Sequence, residues 1–358
     1  MSTTSAFTPT TAGRTRLRNR LVMSSMTRSR ATADGRATAE TAEYYRQRAG
    51  AGLLVTEATQ ISPRAQSYPT TPGIHTAEHA ASWEQVVEAV HGAGSAVHLQ
   101  LFHGGRIGDA SMRGGLAAHA PSAVAAPGKT YTPAGLVDHP APVAMTDAEI
   151  RATIREFADA ARLALGAGFD GVQLHGANGY LPHQFLGRSG NTRTDDWGGT
   201  AAGRVRFTVE AVRAMADAVG PDRVSLRISP AAGLQGVDED GTDELYGEML
   251  SALDDDGLAF LDVVEAPGRR DLTLSLRKSW SGVFALNPHR DAEPAPPHEV
   301  VPDALAAGAD LVVLGRAWLA NPDLDRRIAR GGPYNEADPA TFYGGTAAGY
   351  LDYPLLEG

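Results

Sequence analysis

His175, Asn178 and Tyr180 fall within six residues, in the run Leu174-His175-Gly176-Ala177-Asn178-Gly179-Tyr180. The run follows an apolar stretch that reads as a buried strand. An imidazole, an amide and a phenol spaced by glycines suit two linked tasks: binding a polarised oxygen and delivering a proton beside it. Any one of them alone could serve only to satisfy loop backbone. Three together at the carboxyl end of a strand point to a site.

A strand needs a scaffold to hold it, and one phrase recurs along the chain: an amphipathic stretch, a Gly-containing turn, then a short apolar run. It appears before Leu53-Leu54-Val55, before Val97-His98-Leu99, before Gly171-Val172-Gln173-Leu174 and before Leu311-Val312-Val313-Leu314. Gly just past a helix accepts the left-handed cap conformation, and the runs have the length of parallel strands. Thr146-Asp147-Ala148-Glu149 is a capping box, followed at helical spacing by Ile150, Ile154, Phe157 and Ala161. Trp83, Val86, Val87 and Val90 form a second stripe, and Val205, Val209 and Val212 a third; these read as core packing.

Eight strands are expected, at Leu21–Ser25, Leu53–Thr56, Ala96–Leu101, Gly171–His175, Val224–Ile228, Phe260–Val264, Val283–Leu286 and Leu311–Gly315. Strands alternating with helices give an α/β fold, a (β/α)8 TIM barrel over 1–358, with a doubly wound sheet as second choice. Both architectures place sites at the carboxyl ends of strands. Polar residues cluster there: Thr27, Glu57 and Thr59, Gln100 and His103, His175 and Asn178, Arg227, and Arg316. A long Gly-, Pro- and Ala-rich insertion, 104–145, follows strand three and reads as a lid over the site. Residues 1–12 read as a flexible N-terminus.

Composition excludes more than it proposes. The chain has 358 residues and a formal charge of −10, which disfavours nucleic acid or an anionic membrane as partner. It has no cysteine, which removes disulfides, thiol nucleophiles, thiolate zinc sites and cysteine-ligated iron–sulfur clusters. Met1–Thr10 lacks a basic start followed by an apolar core, so it does not read as a secretory signal. No apolar run reaches the roughly 20 residues that span a bilayer. A cytoplasmic location is the expectation, and no metal site is expected.

The blocks at the strand ends converge on one family. They run from Asn19-Arg20-Leu21-Val22-Met23 and Met26-Thr27-Arg28 through Glu57-Ala58-Thr59-Gln60-Ile61-Ser62 and Leu99-Gln100-Leu101-Phe102-His103 to His175-Gly176-Ala177-Asn178-Gly179-Tyr180-Leu181. Then come Asn191-Thr192-Arg193-Thr194-Asp195, Arg227-Ile228-Ser229-Pro230, Gly315-Arg316, Asn321-Pro322-Asp323-Leu324 and Phe342-Tyr343-Gly344-Gly345. In this order the chain resembles the old yellow enzyme family of flavin-dependent ene-reductases.

The resemblance implies a barrel that holds FMN non-covalently at its carboxyl-terminal mouth and is reduced by NADPH or NADH. It implies that Thr27 bonds the flavin C4 carbonyl, Gln100 the pyrimidine edge, and Arg227 the N1 and C2 side, where negative charge gathers on reduction. Ser25, Met26, Ala58 and His175 would also contact the cofactor, and Gly315 and Arg316 would bind its phosphate. His175 and Asn178 would donate to the carbonyl oxygen of an enone or enal, each donor worth roughly 3–4 kcal/mol in known oxyanion sites. Tyr180 would protonate the α-carbon, its phenol being intact at neutral pH with an ordinary pKa near ~10. Phe102 and Tyr343 would shape the substrate site.

The chain departs from the family pattern in places. Phe102 stands where a Trp is common and should open space beside the substrate. Ser24-Ser25 replaces Ala-Pro, and Ala201-Ala202-Gly203 replaces Glu-Asn before Arg204. Asn287-Pro288-His289-Arg290 replaces a glycine pair, and Pro288 has no N–H to offer a phosphate, leaving His289 or Arg290 to supply charge. Nitro-compound, nitroalkene or nitrate-ester reduction fits the same site, and a non-catalytic FMN- or ligand-binding barrel is the reading from another class. A metal-dependent hydrolase lacks a ligand set, since His175 and His183 have no carboxylate or His partners at ligand spacing.

Overall fold

The structure, a computed structural model, describes residues 3–132, 134–289 and 295–357. Its centre is a ring of eight parallel strands: β1 (Leu21–Met23), β2 (Leu53–Val55), β3 (Ala96–Phe102), β4 (Gly171–His175), β5 (Val224–Ile228), β6 (Phe260–Val264), β7 (Phe284–Asn287) and β8 (Leu311–Leu314). Each strand pairs with the next, and β8 pairs with β1 through Val313 opposite Val22, so the sheet has no open edge. That closure makes it the (β/α)8 barrel and rules out the doubly wound sheet. The expected strands begin within a residue of these, and the first, second and eighth end one or two residues earlier than expected.

Helices cover the outside because their apolar stripes have nowhere else to go. In Ala77–Gly92 the buried face is Trp83, Val86, Val87 and Val90, and in Ala201–Val219 it includes Val205, Val209 and Val212. Asp147–Gly166 starts at the expected capping box: the Thr146 side chain accepts from the Glu149 N–H, and the Glu149 carboxylate accepts from the Thr146 N–H at 2.8 Å. Its Ile150, Ile154, Phe157 and Ala161 are buried as the spacing required.

In place of the flexible start expected at 1–12, residues 3–12 carry a 3-10 turn, Thr3–Phe7, and a strand, Thr10–Ala12, paired antiparallel with Thr15–Leu17. The reason is burial. Ala12 and Leu17 pack with Val22, Leu53, Phe260 and Val313 inside the amino-terminal end of the barrel and plug it. The insertion 104–145 holds a 3-10 turn at Ala110–Arg113, an antiparallel pair of Lys129–Thr132 with Gly135–Asp138, and a short parallel pair of His119–Ala120 with Val143–Ala144. Among the described residues no helix is long and apolar enough to cross a membrane.

Strand register decides which side chains meet in the lumen above that plug. Gln100 lies opposite Gln173, His175 opposite Arg227, and Arg227 opposite Asp262. Leu17 is fully buried beneath them. Leu17→Ala should therefore lower stability by about 2–5 kcal/mol through the cavity it leaves. Urea unfolding measures this, and an unchanged midpoint would show that the plug does not support the barrel.

Candidate active site

The turn after β4 is built to hold three polar groups at the barrel mouth. Asn178 sits in the left-handed region at φ 57°, which Asn tolerates better than most residues, and its N–H donates to Ser229 Oγ at 2.8 Å. Gly179 follows at φ 83°, where a Cβ would lie 2.3 Å from the Gln235 side chain, so only glycine fits. The Gly179 N–H donates to His183 Nδ1 at 2.9 Å, which leaves His183 Nε2 to donate to Glu239 at 2.7 Å. His183 is thus committed to holding the turn.

The turn opens on a cavity of about 800 Å³, a size usual for cofactor and ligand sites. His175, Asn178 and Tyr180 line it from β4, and Ser25, Met26 and Thr27 from the end of β1. Ala58, Gln100, Arg316 and Tyr343 complete the expected residues found on its wall. Three expected residues stand back from that wall. Phe102 is buried behind Tyr180, the rings edge to face at 4.5 Å. Gly315 precedes the short helix Arg316–Ala320, whose first turn no side chain caps, and a Cβ there would sit 3.6 Å from Met26 Sδ. Arg227 lies in the lumen, ion-paired with Asp262, both side chains buried.

That pair belongs to a chain of hydrogen bonds across the barrel. Ser25 Oγ donates to Gln100 Oε1 at 2.7 Å, Gln100 Nε2 to Gln173 Oε1 at 2.8 Å, and Gln173 Nε2 to Asp262 at 3.1 Å. On the far side Arg227 donates to Asn287 Oδ1 at 2.8 Å, and Asn287 Nδ2 to the Val313 carbonyl at 3.1 Å. Asn287, expected near the phosphate, is therefore engaged with Arg227. Arg290 lies outside the described residues.

Protonation states follow from surroundings. Burial, with the Arg227 charge adding to it, holds the His175 imidazole well below its ordinary range. Its Nδ1 is buried without a protein partner. Burial and the neighbouring Tyr68 push the Tyr180 phenol well above the ordinary tyrosine value. Tyr68 shares a hydrogen bond with Tyr180, oxygen to oxygen 3.1 Å, and lines the same cavity.

Sequence reasoning missed Tyr68, Gln173, Asp262 and, beyond Tyr343, the contacts of the chain's last segment. Asp262 carried a signal: it is the only charge in the apolar run Phe260-Leu261-Asp262-Val263-Val264, as Gln173 is the only polar side chain in Gly171-Val172-Gln173-Leu174. Tyr68 had no local signal, because only the tertiary fold sets it against Tyr180. The last segment brings Pro339, Ala340 and Phe342 to the cavity. Buried Arg28, next to Thr27, holds that segment by donating to the Phe342 carbonyl at 2.9 Å and the Gly349 carbonyl at 2.8 Å.

Residues 5–335 match the model of the NADH:flavin oxidoreductase / NADH oxidase family. The chain is 38% identical over 357 residues to the "Probable flavin mononucleotide-dependent alkene reductase" of Leishmania infantum, covering 97% of this chain and 96% of that protein. It is 38% identical over 363 residues to 12-oxophytodienoate reductase 1 of Oryza sativa subsp. japonica, covering 98% and 93% respectively. A solved structure of morphinone reductase in complex with tetrahydroNAD superposes with a TM-score of 0.91 at 37% identity, covering 99% of this chain and 98% of that one. The closed barrel, the polar mouth and these likenesses agree: the chain belongs to the NADH:flavin oxidoreductase family, the FMN-dependent oxidoreductases that include the old yellow enzymes.

Proposed function

We propose that this chain holds FMN non-covalently in the cavity and reduces the C=C bond of small α,β-unsaturated carbonyl compounds, with NADPH or NADH as reductant. The observation that carries this is the convergence of His175, Asn178 and Tyr180 on one cavity with Thr27, Gln100 and Arg316. The likeness to a protein named as an alkene reductase supports it.

The residues present fit the cofactor. The Gln100 amide has two N–H groups and an oxygen with two lone pairs, and the lumen contacts use one of each, leaving donor and acceptor capacity for a pyrimidine edge. Arg227 has five N–H donors and gives one to Asp262 and one to Asn287. Thr27 is half-buried on the wall, and Ser25, Met26 and Ala58 would pack along the ring. Arg316 is exposed at the cavity beside Gly315 and would hold the phosphate. Bound FMN would supply the hydride that the substrate's β-carbon accepts.

The remaining work falls to side chains. His175 and Asn178 would donate hydrogen bonds to the substrate carbonyl oxygen, drawing electron density from the β-carbon and stabilising the charge that gathers on the oxygen. A neutral His175 suits this, because it donates without giving up its proton. Tyr180 would deliver a proton to the α-carbon, completing the addition of one hydride and one proton across the double bond. Tyr68, bonded to the Tyr180 hydroxyl, would hold that phenol in place. The hairpin Lys129–Thr132 and Gly135–Asp138 brings Tyr131 to the cavity and, with Tyr343, would narrow the entrance.

His175 should remain neutral as the pH falls from about 8 through the ordinary histidine value of ~6.5, because its folded-state value lies well below that. With histidine-labelled protein, its ring ¹⁵N signals should stay constant across that window, and a titration midpoint near 6.5 would contradict the assignment. Tyr180→Phe should leave flavin reduction by NADPH within a few fold, since that half-reaction needs no proton on carbon. Reoxidation by cyclohexenone should slow by a factor on the order of 10²–10⁴, and nitroalkenes should suffer less. Stopped-flow traces of both half-reactions decide it: reoxidation at the wild-type rate would make Tyr180 a packing residue.

A further inference from the structure

Arg227 is the charge that the family resemblance sets at the flavin's N1 and C2 side, yet it does not act as a free cation. Its guanidinium is held by the Asp262 carboxylate, with the two side chains 6% and 2% exposed. In so dry a setting a carboxylate in contact cancels much of the field the guanidinium presents beyond it. Asp262 is itself fixed by Gln173, which donates to the carboxylate oxygen that also meets Arg227. The other oxygen, Oδ1, is buried without a protein partner, so its charge is not screened from that side by a second donor. Asn287 holds the opposite end of the guanidinium with a neutral amide.

We propose that Asp262 is a positioning residue that sets the redox poise of bound FMN by cancelling part of the Arg227 charge, holding the potential lower than Arg227 alone would. This rests on the FMN reading above and adds to it the residue that tunes the cofactor. When a nicotinamide hydride brings two electrons and one proton to the ring, negative charge remains at the N1 and C2 edge. An uncancelled Arg227 would favour that charge, and the Arg227–Asp262 pair favours it less. Gln100 and Gln173 extend the same constraint to Ser25, so the carboxylate, the amide at the pyrimidine edge and the first strand share one network.

The test is the midpoint potential of FMN bound to the full-length chain, read by dye equilibration during slow anaerobic reduction. Asp262→Asn keeps the side-chain volume and an acceptor for Arg227 and removes the charge. It should raise the potential so that the ratio of reduced to oxidised flavin at a fixed ambient potential grows at least tenfold, about 30 mV for a two-electron couple. Asn287→Asp leaves the existing pair in place and sets a second carboxylate against the same guanidinium, so it should shift the ratio the opposite way and reports even if the Asp262 variant does not fold. A purely structural role would lower thermal stability and leave the potential where it was. One common potential in wild type and FMN-bound variants would overturn the inference alone. Failure of the wild-type chain to take up FMN would overturn the functional reading and this inference with it.

Discussion

An ion pair buried in a barrel lumen constrains everything around it. Arg227 and Asp262 are both withdrawn from water, and leaving either alone would strand a charge at a cost of about 3–5 kcal/mol. The surrounding residues are the answer to that cost. Gln173 from β4, Gln100 from β3 and Asn287 from β7 each give and accept hydrogen bonds so that the pair sits in a continuous polar belt. Below the belt the lumen holds an apolar cluster, with His98 stacked on Phe260 and Ala12 and Leu17 as the plug, and above it lies the cavity. The belt therefore divides the barrel into a part that stabilises and a part that binds.

The same economy of contacts builds the upper wall. Arg28 directly follows Thr27, and it and Arg30 donate to carbonyls of the last segment, including those of Phe342 and Thr346. Arg48 donates to the carbonyls of Trp318 and Leu319. These cations have few carboxylates nearby and instead sit over aromatic faces: Arg48 lies 3.8 Å from the Tyr44 ring centroid, Arg30 4.5 Å from that of Tyr350, and the two rings stack at 4.2 Å. Through this stack the first strand's loop fixes the segment that carries Tyr343 to the cavity. Residues more than three hundred positions apart thus become neighbours at one mouth.

The barrel was legible because its signals are local. Four of the strands are short apolar runs after a Gly-containing turn, and three helices show a stripe that must be buried, so Thr146, Glu149 and the Val205 stripe stand where the spacing put them. The turn His175–Tyr180 was legible from its three polar side chains directly after an apolar run, and the structure adds that Asn178 and Gly179 carry its left-handed backbone. What stayed hidden depends on pairing across the barrel. Nothing near Arg227 in sequence announces Asp262 as its partner, because strand register supplies that contact. Tyr68 meets Tyr180 only through folding, and Phe102, expected beside the substrate, turned out to back the Tyr180 ring. The start of the chain lacked a strong periodicity, and its order comes from covering the barrel's lower end.

In the proposed function, one cavity at the barrel mouth passes electrons from a nicotinamide to an alkene through FMN. An anaerobic absorbance titration of the purified chain decides between this and a barrel without that chemistry. Protein loaded with FMN should show a visible flavin spectrum, bleach on addition of NADPH or NADH, and recolour when cyclohexenone is added, with cyclohexanone as the product. Protein that stays colourless after incubation with excess FMN, or reduced flavin that cyclohexenone leaves bleached, would contradict it.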